Sequence, residues 1–244
     1  MTAVNMMVQP AARAGYVIAD GAHTSPDGRL VEISPKLLYG AKRLPWAMGL
    51  TGNLHPRHML EEIGKEQLAS FKQFRKCLPN VMRRALQRVA DTVNGDHCAP
   101  SIGIKGVIWD FARKRPIGFV IHSDPAEFAP GTEAFTWYET AWSITAADGA
   151  DTVADHLGRA ADLTDPGSFD PFADGLALVA AQRERGVTPT SPALDRSIRH
   201  RIGGDIDCAE VTKRGVLVWQ IGSFKDRLGE IIDPSHAAAP LVAN

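Results

Sequence analysis

Hydrophobic and polar positions change texture several times along this chain, and each change predicts an element. Ala3–Gln9, around VNMMVQ, and Tyr16–Ala19 are short apolar β-prone runs joined by Pro10–Gly15. Pro26-Asp27-Gly28 supplies a turn, because proline presets φ and glycine accepts φ > 0. Leu30–Ile33 then alternates apolar and charged residues with the period of a half-buried strand. Leu37-Leu38 and Trp46–Leu50 are two more buried runs, the second closed by Thr51-Gly52-Asn53. From His55 the period lengthens. His55–Ser70 carries Met59, Leu60 and Ile63 at helical spacing, with Pro56 where a helix start tolerates it. Phe71–Val93 predicts a second helix, kinked or restarted at Pro79. Period-2 texture returns in Ile102–Trp109 and Ile117–Ile121, a hairpin with a basic connection, and Phe135–Ile144 is expected to add a strand. Helices are expected over Val153–Ala161 and Pro171–Gly186, with a further turn or two at Leu194–Arg201. A last hairpin joins Ile206–Lys213 to Val216–Phe224 through Arg214-Gly215.

The order is strands, two long helices, strands, helices, strands. It predicts an α+β fold with two antiparallel sheets stacked face to face, each covered outside by helices: a four-layer αββα sandwich in one domain spanning residues 1–244. Asp20 and Lys36 fall on or beside strands expected to be adjacent in one sheet, with a buried ion pair as the outcome.

Composition narrows the function classes. A formal net charge of −1 gives no electrostatic case for nucleic acid or an anionic membrane surface. No apolar run approaches the roughly 20 residues that span a bilayer, and no signal-peptide pattern is seen at the start. Cys77, Cys98 and Cys208 are scattered thiols without CxxC spacing, which favours a reducing, cytoplasmic setting over a disulfide framework. His55, His58 and Glu61 share a helical face without a third-element ligand, so a solvated helix start is the better reading and no metal or cofactor is expected.

Several residues together resemble the proteasome-type N-terminal-nucleophile (Ntn) hydrolases, nearest the HslV-type bacterial peptidase subunit. They are Met1-Thr2, Ala19-Asp20-Gly21-Ala22-His23-Thr24, Lys36, Gly49-Leu50-Thr51-Gly52 and Ile202-Gly203-Gly204-Asp205-Ile206. The 36 − 20 = 16 positions between aspartate and lysine match the family's pair. The resemblance implies an N-terminal threonine, Thr2 once Met1 is removed, attacking an amide carbonyl with its own α-amine as base. It implies Asp20 and Lys36 as the supporting pair, and the Gly49–Gly52 corner as the source of an oxyanion donor. It also implies a peptide or small amide substrate and self-association into a ring-like homo-oligomer, through the outer helices and the arginines beside Phe74, Leu78 and Met82. Ring size, substrate identity and an ATPase partner are not legible in the residues.

Departures from the family pattern are equally visible. The stretch from Thr2 to Asp20 is about two residues longer, segment 124–174 is enlarged, and Ile202 and Arg199 stand where the family carries a serine and an aspartate before the glycine pair. A second reading therefore accompanies the first: a catalytically silent proteasome-like subunit with a structural or binding role.

Overall fold

The computed structural model describes residues 2–25, 27–40, 43–90, 100–124, 131–147, 152–186 and 200–241. In chain order these form β1 (Val4–Gln9), β2 (Ala14–Asp20), β3 (Ala22–Thr24), β4 (Leu30–Ile33), β5 (Leu37–Gly40) and β6 (Trp46–Gly52). Two helices follow, α1 (Pro56–Ile63) and α2 (Phe71–Ala90), then β7 (Ile102–Asp110), β8 (Arg115–His122), β9 (Tyr138–Glu139) and β10 (Trp142–Ser143). The chain closes with α3 (Val153–Leu157), α4 (Ala173–Arg185), β11 (Asp205–Thr212), β12 (Gly215–Ser223) and β13 (Ala239–Pro240).

The pairing is antiparallel throughout. One sheet has six strands in the order β10-β1-β2-β11-β12-β13, a second has five in the order β5-β6-β7-β8-β9, and β3 with β4 makes a small third sheet. Every residue of β1, β2 and β7 is buried. That is why these strands read as continuous apolar runs: a strand covered on both faces has no polar face to alternate with. Three apolar clusters pack the sheets, one between them and one on the outer side of each. Val4, Met6, Val8, Val17 and Ala19 meet Leu37, Ala47, Val107 and Trp109 between the sheets. Trp46, Met48, Leu50, Ile104, Ile108 and Phe119 meet α1 and α2 through Met59, Phe74, Leu78, Val81 and Met82. Met7, Tyr16, Ile18 and Cys208 meet Val153, Leu163, Phe169, Leu178 and Val179.

Some expectations change with this geometry. Asp20 ends β2 in the six-stranded sheet, whereas Lys36 immediately precedes β5 in the five-stranded sheet. The two residues thus face each other across the gap between sheets instead of lying on adjacent strands of one. The helix expected over His55–Ser70 stops at Ile63, with the Gly64 N–H donating to Leu60 O. Helix α2 runs through Pro79 as one helix to Ala90; residues 91–93 lie outside the described residues, as do Cys98 and 194–199. Phe74, Leu78 and Met82 are buried against the five-stranded sheet, so they are not free for a subunit contact. The arginines beside them are engaged within the chain: Arg84 binds Glu62 at 2.9 Å and Glu66 at 2.5 Å, and Arg88 binds Glu61. The helix at Val153 ends at Leu157, where Gly158 takes φ +66°.

The segment expected as one strand over Phe135–Ile144 is two short strands on different sheets. β9 pairs with β8, and β10 pairs with β1. Trp137 anchors its start by stacking on Phe119, with centroids 4.0 Å apart. The segment therefore crosses from one sheet to the other and delivers Thr145 to the start of β1. No helix among the described residues is long and apolar enough to cross a membrane.

Candidate active site

Three of the residues singled out in the sequence come together at one buried point. The Lys36 Nζ donates to Thr2 Oγ1 at 3.0 Å and lies 3.2 and 3.3 Å from the two Asp20 carboxylate oxygens. Asp20 is 0% exposed, Lys36 4% and Thr2 6%, so the cluster is shielded from bulk water. Local backbone geometry explains the convergence. After Asp20 the chain turns sharply, and the N–H groups of Gly21 and Ala22 both donate to Gly203 O at 3.2 and 3.0 Å. That turn aims the carboxylate at three backbone donors: Ala3 N at 2.9 Å on Oδ1, and Gly203 N at 3.1 Å and Ala22 N at 3.3 Å on Oδ2. Asp20 thereby ties the first residues, the β2 end and the β11 entry to one group. Charge-assisted bonds of this kind are about twice as strong as neutral ones.

The electrostatics follow from burial. Removal from water pulls the Lys36 ammonium below its ordinary range, and the adjacent Asp20 carboxylate opposes that pull. His23 sits at the rim with Nε2 at 3.0 Å from Ser34 Oγ and its ring stacked on His55, centroids 5.1 Å apart. Burial, then the Lys36 charge, push His23 down to about 4, so its ring is neutral at physiological pH. His55 also caps α1 by accepting from Arg57 N at 3.2 Å and lies 3.5 Å from Glu32.

The glycines have different settings. Gly49 lies mid-strand in β6, between Leu37 on β5 and Lys105 on β7. A Cβ there would stand 2.5 Å from Val4 Cγ1, so glycine lets the start of β1 approach β6 closely. Gly52 ends β6 with φ +101°, and a Cβ would lie 2.3 Å from Ser101 O. The corner is thus built on glycine for conformational reasons.

Sequence reasoning passed over a second group beside Thr2. Lys105 is buried on β7 and donates from Nζ to Thr145 Oγ1 at 3.3 Å. Burial alone pushes it down to about 7. His122, also buried, is pushed down to about 4 by burial and then by the Lys105 charge. The Thr145 hydroxyl contacts Thr2 O at 3.4 Å, Val4 O at 3.0 Å and Val4 N at 2.9 Å. Its main chain is fixed by an amide pair: Asn5 Oδ1 accepts from Thr145 N at 3.0 Å, and Gln182 Nε2 donates to Thr145 O at 2.6 Å. The available signal was a lone lysine inside the apolar run IGIKGVIWD. Of the two departures before the glycine pair, Ile202 is a core residue and Arg199 lies outside the described residues.

No family profile matches the sequence, and no curated protein matches it. Among solved structures, the chain is similar to an Anbu (Gly-1) mutant from Hyphomicrobium sp. strain MC1, with 13% identity, a TM-score of 0.57, and 93% of this chain and 89% of that one covered. It is similar also to Anbu (ancestral beta-subunit) from Yersinia bercovieri, with 10% identity, a TM-score of 0.55, and 90% and 81% covered. Another Anbu structure from the Hyphomicrobium strain gives 13% identity, a TM-score of 0.54, and 93% and 89% covered. At such identities the likeness speaks to fold alone: the chain has an α+β fold like that of the Anbu structures.

Proposed function

We propose that this chain is a proteasome-like Ntn hydrolase cleaving amide or peptide bonds with Thr2 as nucleophile. The observation that carries this reading is the Lys36 Nζ placed 3.0 Å from Thr2 Oγ1 while paired with Asp20. In the proposed reaction Met1 is absent and the Thr2 α-amine is free. An α-amine has an ordinary pKa near ~8, so a sizeable neutral fraction can serve as base at working pH. The Thr2 oxygen attacks the carbonyl carbon, and its proton passes to the α-amine. The tetrahedral oxyanion is stabilised by a backbone N–H of the Gly49–Gly52 corner. The C–N bond then breaks, the leaving amine takes the proton, and water hydrolyses the Thr2 ester. Lys36 supplies fixed positive charge beside the reacting oxygen, and Asp20 holds Lys36 in place.

The two sheets and their helical covers form, in this reading, a single-domain four-layer αββα sandwich that assembles into a homo-oligomer. A silent proteasome-like subunit is the second reading. It is favoured by the 6% exposure of Thr2 and by Ile202 standing as an apolar core residue before the glycine pair. Hydrolysis of a fluorogenic peptide amide by a chain beginning at Thr2, and its loss in Thr2→Ala with fold retained, tests the first reading. Equal turnover by both chains overturns it.

A further inference from the structure

Away from the Asp20–Lys36 pair, the cluster between the sheets is built of aliphatic and aromatic side chains, and a lysine on β7 departs from it. Strand alternation puts Lys105 on the same face as Val107 and Trp109, which pack against Val4, Val17 and Ala209. A lysine at that position breaks the apolar pattern, and no carboxylate among the described residues lies within ion-pair distance of it. Burying an amine without a counter-charge opposes folding. Rule-breaking buried groups of this kind concentrate where function requires them. What Lys105 touches is the Thr145 hydroxyl, which grips the backbone of Thr2 and Val4.

We propose that Lys105 is a positioning residue that acts through Thr145 to hold the chain at Thr2–Val4, so that the Thr2 hydroxyl stays on Lys36. The inference rests on the proposed role of Thr2 for its catalytic consequence, although the clamp itself is a property of the fold. The donor accounting supports it. A hydroxyl has two lone pairs and one proton. The lone pairs of Thr145 Oγ1 take the Val4 and Lys105 N–H groups, which directs its one proton to Val4 O at 3.0 Å, shared with Thr2 O at 3.4 Å. Loss of the Lys105 donor frees the rotor, and the grip on both oxygens loosens. The Asn5–Gln182 pair keeps the Thr145 main chain in place, so the loosening is confined to the side-chain contact. A residue retained only for packing would lose stability on substitution. Here an apolar residue of similar length removes a desolvated amine, so global stability rises while local order falls.

The test compares wild type, Lys105→Met, Thr145→Val and the Lys105→Met/Thr145→Val double variant by thermal melting, by hydrogen exchange of the peptide covering residues 2–8, and by the rate at which a peptide epoxyketone labels Thr2. Thr145→Val supplies the same readouts if Lys105→Met does not fold. The clamp predicts a melting temperature for Lys105→Met at or above wild type. It predicts exchange in residues 2–8 faster by on the order of tenfold, one hydrogen bond's worth. It predicts an inactivation rate constant lower by a similar factor, with the reversible binding constant unchanged. Thr145→Val should reproduce the local effects, and the double variant should add nothing. Unchanged exchange at residues 2–8 in the folded variants overturns the clamp. Absence of wild-type labelling refutes the Thr2 reading instead, and the exchange measurement still decides the clamp.

Discussion

Halving the buried pair is the perturbation with the largest expected effect on the fold. Asp20→Ala removes a group that accepts from Lys36 and from the backbone N–H groups of Ala3, Ala22 and Gly203. The ammonium left behind is 4% exposed and has no other carboxylate at salt-bridge distance among the described residues. Breaking a buried ion pair by removing one partner costs on the order of 3–5 kcal/mol. The backbone donors of Ala3 and Gly203 are left stranded and add about 1 kcal/mol each where water cannot reach them, whereas Ala22 N–H keeps Gly203 O. A total of roughly 5–7 kcal/mol is a large part of the ~5–15 kcal/mol that holds a domain folded. Urea unfolding followed by tryptophan fluorescence gives the number directly. Adding Lys36→Met should return about 2–3 kcal/mol, because the stranded charge goes with it. A loss below about 1 kcal/mol in Asp20→Ala, or no recovery in the double variant, would refute the reasoning that the pair is buried and mutually dependent.

Other consequences are smaller or more local. Gly49→Ala puts a methyl group 2.5 Å from Val4 Cγ1, and overpacking between the sheets should cost about 1–3 kcal/mol in the same urea assay. Arg183→Met strands Asp226, 2% exposed and paired at 2.7 Å, and should cost a further ~3–5 kcal/mol, read as a lower midpoint at constant slope. Burial, then the Lys105 charge, push His122 from an ordinary 6.5 down to about 4, so the unfolded chain binds the extra proton between those values. Its contribution is therefore fully present above pH 6.5 and falls by of order 3 kcal/mol as pH drops to 4, at about 1.4 kcal/mol per pH unit. His122→Phe should flatten that part of the stability profile measured by denaturation at stepped pH.

The order of elements was legible because strands covered on both faces announce themselves as apolar runs, as β1, β2, β6 and β7 do. Asp20 and Lys36 were legible as charges set against such runs. Which sheet each belonged to was not, because sequence spacing does not reveal that β3 and β4 leave the main sheets between them. The crossing of residues 138–143 from one sheet to the other was hidden for a related reason. Two-residue strands carry no period, and pairing with β8 and then β1 is a tertiary choice. Pro79 was read as a break in α2, yet the helix continues, its Phe74, Leu78, Val81 and Met82 face packed on the five-stranded sheet. Lys105 was visible as a lone charge in an apolar strand. Its place beside Thr2 required Thr145, 40 positions away, to be brought there by the crossing segment.

The central claim is that Thr2 is a nucleophile supported by Lys36. A peptide epoxyketone, which requires both the hydroxyl and the free α-amine of an N-terminal threonine, addresses it most directly. Intact-mass and peptide mapping of a chain that begins at Thr2 should show one adduct, located on Thr2, and its formation should cease in Lys36→Met at unchanged fold. An adduct located elsewhere, labelling undiminished in Lys36→Met, or no labelling of a chain shown to begin at Thr2 would contradict the claim.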